Sequence, residues 1–156
     1  MRNRKPNLHA TPSLLLGLVF SFLLAIPAWA ADFRAVLVAK TVAYDAPSLE
    51  AKKVLIFSQG YPLEVIVNLG EWLKVRDAAG TLSWVEAKQT AQKRMVVATT
   101  NTAVRQADNA DAALLATLEK DVVVELVADN KNGWVKVKHA NGVTGFVQSS
   151  QLWGAQ

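Results

Sequence analysis

The sequence predicts an all-β protein, built of two small β-barrels in tandem behind a cleavable signal peptide. Three observations carry this prediction: an apolar segment near the N-terminus, apolar residues that alternate with polar ones over much of the remaining chain, and a repeat. Trp72–Arg76, followed by Trp84-Val85, returns as Trp134–Lys138, followed by Phe146-Val147, 62 residues later. A period of about 60 residues with strand-like alternation indicates two small β domains rather than a solenoid or a propeller.

The first thirty residues have the pattern of a signal peptide. A basic start precedes the largely apolar residues 14–26, and Ala28 and Ala30 then supply the small-x-small pattern of a cleavage site. The mature chain is therefore expected to begin at Ala31, in the periplasm or outside the cell, with no stable membrane insertion after cleavage. A membrane span needs about 20 apolar residues, and this run is shorter. An uncleaved anchor is the alternative interpretation.

Charge and composition argue against several classes of function. The chain has a net charge of +4, but the first thirty residues carry three basic and no acidic residues, so +1 remains for the mature part. This balance predicts no nucleic-acid partner. The chain has no cysteine, and His139 is the one histidine after Ala31. A zinc site or a Cys–His catalytic pair needs more such groups, so no metal, no cofactor and no catalytic residue are expected.

The repeat divides the mature chain into domain 1 at residues 32–90, a polar linker at 91–94 and domain 2 at 95–154. Residues 109–118 are rich in Ala and Leu, and we expect there an irregular loop with one helical turn. Domains of about 60 residues bury too little surface to be very stable alone, and this chain has no disulfide to help. The two domains are therefore expected to pack on each other. The predicted strands lie at 63–69, 72–76, 82–86, 95–99, 122–127, 134–138 and 143–147.

Alternation along the repeated hairpin predicts which side chains face outward. If Leu73, Val75 and Val85 face the core, their neighbours must face the other way, since successive side chains in a strand point to opposite faces. Each hairpin then presents two aromatic and two cationic side chains on its outer face. These are Trp72, Lys74, Arg76 and Trp84 in domain 1, and Trp134, Lys136, Lys138 and Phe146 in domain 2.

Several segments resemble bacterial SH3-like (SH3b) domains. They are Gly-Tyr-Pro-Leu-Glu-Val-Ile at 60–66, Glu-Trp-Leu-Lys-Val-Arg-Asp at 71–77 and Ser-Trp-Val at 83–85, with counterparts at 133–137, 145–147 and 150–154. The resemblance covers residues 33–154. It implies two tandem SH3-like β-barrels and, more narrowly, a family of periplasmic proteins with two such domains behind a signal peptide.

The resemblance also implies a candidate ligand groove. In peptide-binding members of the SH3 superfamily, the Trp that opens this hairpin, the aromatic residue of the return strand and a Tyr of the first loop line a shallow groove. The residues at the matching positions here are Tyr44, Trp72 and Trp84 in domain 1, and Trp134 and Phe146 in domain 2. Asp45, Glu71 and Arg76 are expected at the rim of the domain 1 groove. The alternative is that these aromatics cover the barrels or fill the seam between the domains.

These patterns favour a non-enzymatic binding or scaffolding module of the cell envelope. The resemblance to SH3b domains implies the expected partner, which is a cell-wall (peptidoglycan) peptide or glycan, or an envelope protein, held by the aromatic groove of domain 1. A purely structural protein, with its aromatics buried between domains or subunits, is the first alternative. A cell-wall hydrolase that uses His139 is the second, and no recognisable catalytic motif accompanies that residue.

The signal-peptide interpretation predicts a defined mature N-terminus. We expect the secreted protein to begin at Ala31, because cleavage follows the small residues Ala28 and Ala30. Intact-mass measurement and N-terminal sequencing of protein from a periplasmic extract check this. Ala30→Arg should abolish the processing, whereas a wild-type chain of full length in that extract would contradict the prediction.

Overall fold

Two seven-stranded antiparallel sheets, one from each half of the chain, make up the protein in this computed structural model. The structure describes residues 31–129 and 132–155. The predicted signal peptide, with Ala28 and Ala30, lies outside the described residues. The first sheet contains β1 (Phe33–Val36), β2 (Lys40–Tyr44), β3 (Lys53–Ser58), β4 (Pro62–Asn68), β5 (Trp72–Arg76), β6 (Leu82–Glu86) and, after a 3₁₀ turn at Ala87–Gln89, β7 (Thr90–Ala91). The second contains β8 (Met95–Ala98), β9 (Thr102–Arg105), β10 (Leu114–Leu118), β11 (Val123–Asp129), β12 (Trp134–Lys138), β13 (Thr144–Gln148) and, after a 3₁₀ turn at Ser149–Gln151, β14 (Leu152–Trp153).

The two sheets have the same topology. Their strand orders are β3-β2-β6-β5-β4-β1-β7 and β10-β9-β13-β12-β11-β8-β14, so every strand of the first sheet has a counterpart at the same place in the second. The sequence repeat is therefore the repeat of a whole sheet, and the all-β prediction is confirmed.

Burial along the central hairpin follows the predicted alternation. Leu73, Val75 and Val85 are completely buried, while Trp72 and Trp84 on the opposite face are half-buried. The counterparts on β12 and β13 show the same pattern. Full burial of one such aliphatic side chain contributes roughly 1.5–3 kcal/mol. The inward residues therefore fix the register, and the register fixes which side chains reach the outer face.

The loop expected at residues 109–118 is present at residues 109–113, but the expectation is wrong for the second half, because Leu114–Leu118 forms the edge strand β10 against β9. Its Ala and Leu residues favour a helix, but pairing with β9 and burial of Leu118 outweigh that preference. Leu114 and Leu115 stay exposed, and a β-bulge interrupts the pairing between Leu114 and Ala116. The corresponding edge strand of the first sheet is β3.

The connection between the sheets is short and anchored. Strand pairing continues through Ala91, which lies opposite Ala35 of β1, so residues 92–94 form the connection. The Arg94 guanidinium donates two hydrogen bonds to the Asp129 carboxylate, at 2.6 and 3.0 Å. The carbonyl of Arg94 accepts the N–H of Leu126 at 2.9 Å. The chain leaving the first sheet is therefore fixed onto β11 of the second.

One tryptophan lies at the seam between the two halves. The ring of Trp153 meets Phe33 of β1 edge-on, with centroids 5.1 Å apart and planes at 81°. The chain also approaches closely at Gly154, where an added Cβ would lie 3.1 Å from the Met95 carbonyl oxygen and 3.5 Å from Pro62 Cβ. The other described tryptophans, Trp72, Trp84 and Trp134, contact residues of their own halves.

Two aromatic rings close one end of the first core. Phe57 and Tyr61 stack with centroids 5.3 Å apart and planes at 21°, and the Tyr61 hydroxyl accepts the N–H of Ala78 at 3.3 Å. Burial raises the pKa of Tyr61 above its ordinary value, and the negative charges of Asp77 and Asp121 add to this, although the Ala78 hydrogen bond acts in the opposite direction.

Stability should therefore fall as Tyr61 begins to ionise. Because the pKa of Tyr61 is higher in the folded than in the unfolded state, the unfolded chain loses this proton first, and stability declines above about pH 10. Urea unfolding of wild type and Tyr61→Phe at several pH values between 8 and 11 tests this. The wild type should decline more steeply with pH, and equal slopes would contradict the assignment.

Gly145 and Ser83 occupy the same position in the two sheets and offer a matched pair of substitutions. A Cβ added at Gly145 would lie 2.6 Å from the Arg105 carbonyl oxygen and 2.6 Å from Val104 Cγ1. Gly145→Ala should therefore reduce the free energy of unfolding by about 1–3 kcal/mol through overpacking. The buried Ser83 hydroxyl has no hydrogen-bond partner, so Ser83→Ala should be neutral or stabilising.

Urea denaturation with a common m-value measures both changes. A Gly145→Ala variant as stable as wild type would show that β9 can move away from β13 at little cost.

Candidate functional site

Three neighbouring strands place aromatic residues on the outer face of the first sheet. Tyr44 of β2 lies opposite Trp84 of β6, and Trp84 lies opposite Lys74 of β5. The Lys74 ammonium is 5.9 Å from the centroid of the Trp84 ring, within the distance of about 6 Å at which cation–π attraction operates. The hairpin and β2 thus bring Tyr44, Trp72 and Trp84 to one face.

Tyr44 is almost completely buried, so it supports the neighbouring Trp72 ring and offers little surface of its own to a ligand. Its ring meets Trp72 edge-on, with centroids 5.6 Å apart and planes at 85°, and only 7 % of the residue is exposed. The pairing of β2 with β3 shifts between Ala43 and Tyr44, and both of these neighbours are buried. Such edge-to-face contacts contribute about 0.5–1.5 kcal/mol beyond the buried area. The contact with Tyr44 therefore holds the Trp72 ring in place.

Trp72 lies in the wall of an open cleft of about 710 Å³. The cleft separates the first loop, which is defined here as residues 45–52 between β2 and β3, from the β4–β5 turn and the end of β6. Trp72 and the exposed Leu49 provide its large apolar side chains. Trp84 does not line it, so the predicted groove is divided between this cleft and the neighbouring Lys74–Trp84 pair. The lining residues are Pro47, Ser48, Leu49, Glu50, Gly70, Glu71, Trp72, Glu86, Ala87 and Lys88.

Carboxylates dominate the charge of this cleft. Glu50, Glu71 and Glu86 line it together with one cation, Lys88. The Lys88 ammonium lies 2.7 Å from the Glu86 carboxylate, which also accepts a hydrogen bond from Gln89 Nε2 at 2.5 Å. The contact with Glu86 raises the pKa of Lys88. Glu50 and Glu71 leave the cleft negatively charged, which favours a cationic group on a ligand.

Asp45 shapes the first loop. Its carboxylate accepts the N–H of Lys52 at 3.1 Å, and its own N–H donates to the Lys52 carbonyl at 3.1 Å. The two ends of the loop are thereby joined. Asp45 is thus placed to hold the loop that carries Leu49 and Glu50.

Arg76 lies away from the cleft. It follows Trp72 by four residues along β5, which corresponds to about 13 Å. Its guanidinium donates two hydrogen bonds to the Glu64 carboxylate of β4, at 2.8 and 2.9 Å. These hydrogen bonds, together with the charge of Glu64, raise the pKa of Arg76. Arg76 thus forms a bidentate pair across β4 and β5, and the structure does not bring it to Trp72 as the groove hypothesis expected.

The outer face of the second sheet differs from that of the first at the position equivalent to Tyr44. Lys136 lies 5.8 Å from the Phe146 ring centroid, as Lys74 lies beside Trp84. The residue opposite Phe146 is Arg105, which replaces the tyrosine of the first sheet. Its Nη1 donates to the Ala112 carbonyl at 2.8 Å and so holds the loop before β10.

Trp134 lines a smaller cleft in the second sheet. That cleft has a volume of about 150 Å³ and is also lined by Arg105 and Ala110. The two candidate faces are therefore unequal, and the larger cleft belongs to the first sheet.

Among the acidic residues of the cleft, sequence reasoning anticipated Glu71, which was expected at the rim of the groove, and missed Glu50 and Glu86. Glu86 lies directly opposite Trp72 across the β5–β6 hairpin. Counting pairs outward from the turn at residues 77–80 would have placed it there. Glu50 reaches the cleft from a loop, whose conformation the alternating pattern does not fix.

The part of the chain that the structure describes contains no cluster of three or more side chains suited to holding a metal ion. Nor is any helix there both long and apolar enough to cross a membrane.

Comparison with known families finds two matches in this chain. The family described as "Bacterial SH3 domain" matches residues 38–91 and again residues 98–154. Each match lies within one of the seven-stranded sheets and begins at or after the end of its first strand. No curated protein matches the chain.

Solved structures with some similarity include proteins with an NlpC or NlpC/P60 description. NlpC1 from Trichomonas vaginalis is 12% identical, with a TM-score of 0.37, over 91% of this chain and 50% of that one. An NlpC/P60 family protein from Bacillus cereus ATCC 10987 is 13% identical, with a TM-score of 0.36, over 78% and 55%. An NlpC/P60 endopeptidase from Photobacterium damselae subsp. piscicida is 16% identical, with a TM-score of 0.35, over 83% and 35%. The chain thus spans about half of the first two structures and about a third of the last.

Proposed function

This chain belongs to the bacterial SH3 domain family, and we propose that it is a non-enzymatic binding module of the periplasm that recognises a cell-wall peptide through the cleft beside Trp72. The single observation that carries the proposal is the position of the Trp72 ring. It is braced by Tyr44, half-buried, and exposed to a cleft large enough for a short peptide. Concave sites of this kind, apolar with a few polar groups, are typical of ligand binding.

The charges of the cleft suggest which part of a cell-wall fragment binds. Glu50 and Glu71 contribute negative charge beside the apolar surface of Trp72 and Leu49. A peptide that carries a free amino group next to an aliphatic side chain complements both features. The amino group would lie near the carboxylates and the aliphatic part against the Trp72 ring, which is the arrangement we propose.

The lining of the cleft supports binding rather than turnover. Within the described lining, no histidine or cysteine accompanies Ser48, and Glu86 is already paired with Lys88. A nucleophile in a hydrolase is normally activated by such a neighbouring base. His139 lies in the other half of the chain, beside the turn that follows β12.

Titration with purified cell-wall peptides, followed by calorimetry, tests the proposal. Trp72→Ala should weaken binding about tenfold or more, because it removes the large apolar surface of the cleft. Trp134→Ala is the matched control, since Trp134 has the equivalent position in the second sheet and should leave the affinity unchanged. Urea unfolding of both variants checks that they are folded.

The role proposed for the carboxylates of the cleft can be tested separately. Glu71→Gln, and separately acetylation of the peptide amino group, should each weaken binding and reduce its dependence on salt. Wild-type affinity in folded Trp72→Ala would contradict the proposal and favour a structural role for the aromatic face.

A further inference from the structure

The core of the second sheet opens to the surface through a cavity of about 260 Å³. Core valines that are at most 2 % exposed, Val104, Val124 and Val137, form its floor. Leu118, Val122 and Val143 add further apolar walls, so the inner part of the cavity is apolar.

Polar side chains line the same cavity. They belong to Thr117, Glu119, His139 and Asn141, each of which is at least partly exposed. The cavity thus combines an apolar interior with a polar border, as small-molecule sites commonly do. It lies in the second half of the chain, whereas the cleft beside Trp72 lies in the first.

The first sheet shows what fills the equivalent space. Val122 corresponds to Tyr61, because the Ala98 N–H donates to the Val122 carbonyl at 3.0 Å as the Val36 N–H donates to the Tyr61 carbonyl at 3.0 Å. The preceding residue has a positive φ in both halves, 81° at Gly60 and 69° at Asp121. Val122 therefore holds the backbone position of an aromatic residue while carrying a much smaller side chain.

A second ring is missing at the neighbouring position. Leu118 lies opposite Thr102 on β9 as Phe57 lies opposite Thr41 on β2. In the first sheet, Phe57 and Tyr61 stack against each other and pack with the core. In the second sheet, two aliphatic side chains stand where these rings would be, and the cavity adjoins both of them.

We propose that this cavity binds a single phenol ring from a ligand, which would take the place that Tyr61 holds in the first sheet. Apolar cavities of about 150 Å³ are known to bind benzene, so the volume here is sufficient for one substituted ring. This site is separate from the function proposed above and does not depend on it.

The turn after β12 supplies a partner for the phenol oxygen. It matches the turn of the first sheet that binds the Tyr61 hydroxyl, since the His139 N–H donates to the Val143 carbonyl as Asp77 donates to Thr81. His139 Nδ1 accepts the Asn141 N–H at 3.2 Å. The proton of the neutral imidazole is therefore on Nε2, which can donate a hydrogen bond to a phenol oxygen.

Titration of the purified protein with p-cresol, followed by calorimetry and by NMR chemical shifts, tests the proposal. Wild type should show saturable binding with shifts concentrated on residues 104, 122, 137 and 143. Val122→Tyr, which supplies the ring covalently, should abolish that binding. Tyr61→Phe alters the equivalent position of the first sheet and should leave it unchanged.

Two further variants and two further ligands test the same proposal. Leu118→Phe fills the cavity from the other side and serves where Val122→Tyr does not fold. His139→Ala should weaken p-cresol binding about fivefold or more while leaving toluene binding unchanged, because toluene offers no oxygen to the imidazole. Binding of N-acetyltyrosinamide as tightly as p-cresol would identify a tyrosine side chain as the source of the ring, and binding of p-cresol alone a free phenol.

Absence of saturable p-cresol binding to wild type would overturn the proposal. Undiminished binding in a folded Val122→Tyr or Leu118→Phe variant would overturn it as well.

Discussion

Complete burial of Leu73, Val75 and Val85 in the central hairpin is the constraint on which the rest of the first sheet depends. Side chains alternate between the two faces of a strand, so these three residues leave no choice for their neighbours. Trp72 and Trp84 must face outward, and the pairing of β6 with β2 then brings Tyr44 beside them. The candidate site is thus a consequence of core packing, and a shift of one residue in the hairpin would destroy both.

The two halves keep this constraint and differ in what surrounds it. At the outer face, Tyr44 braces Trp72, whereas Arg105 holds a loop in the second sheet. At the end of the core, Phe57 and Tyr61 fill space that Leu118 and Val122 leave open. One architecture therefore carries a charged external cleft in one half and an apolar internal cavity in the other. The side chains that form the cleft and the cavity are not the ones that determine the strand order.

Much of the fold could be read from the sequence because the hairpin residues alternate strictly. The expected outward face of Trp72, Lys74 and Trp84 follows from this pattern alone. Strands β4–β6, β8 and β11–β13 were predicted, whereas the other seven were missed. At β10 the composition favours a helix, and only the pairing with β9 reveals a strand. The pairing of Arg76 with Glu64 could not be read either, because it spans β4 and β5, whose register shifts at a bulge. The acidic loops of the cleft and the cavity depend on three-dimensional packing that local periodicity does not encode.

The bulge between Leu114 and Ala116 matters for how the protein behaves at high concentration. β10 is an outer strand of its sheet, and its five residues carry no charge to repel another chain. Free edges of this kind can template intermolecular sheet growth, and bulges are one of the devices that prevent it. With Leu114 and Leu115 exposed, the interrupted register is what keeps this edge from presenting a regular row of hydrogen-bonding groups. A structural irregularity of one residue is thus expected to oppose self-association and aggregation.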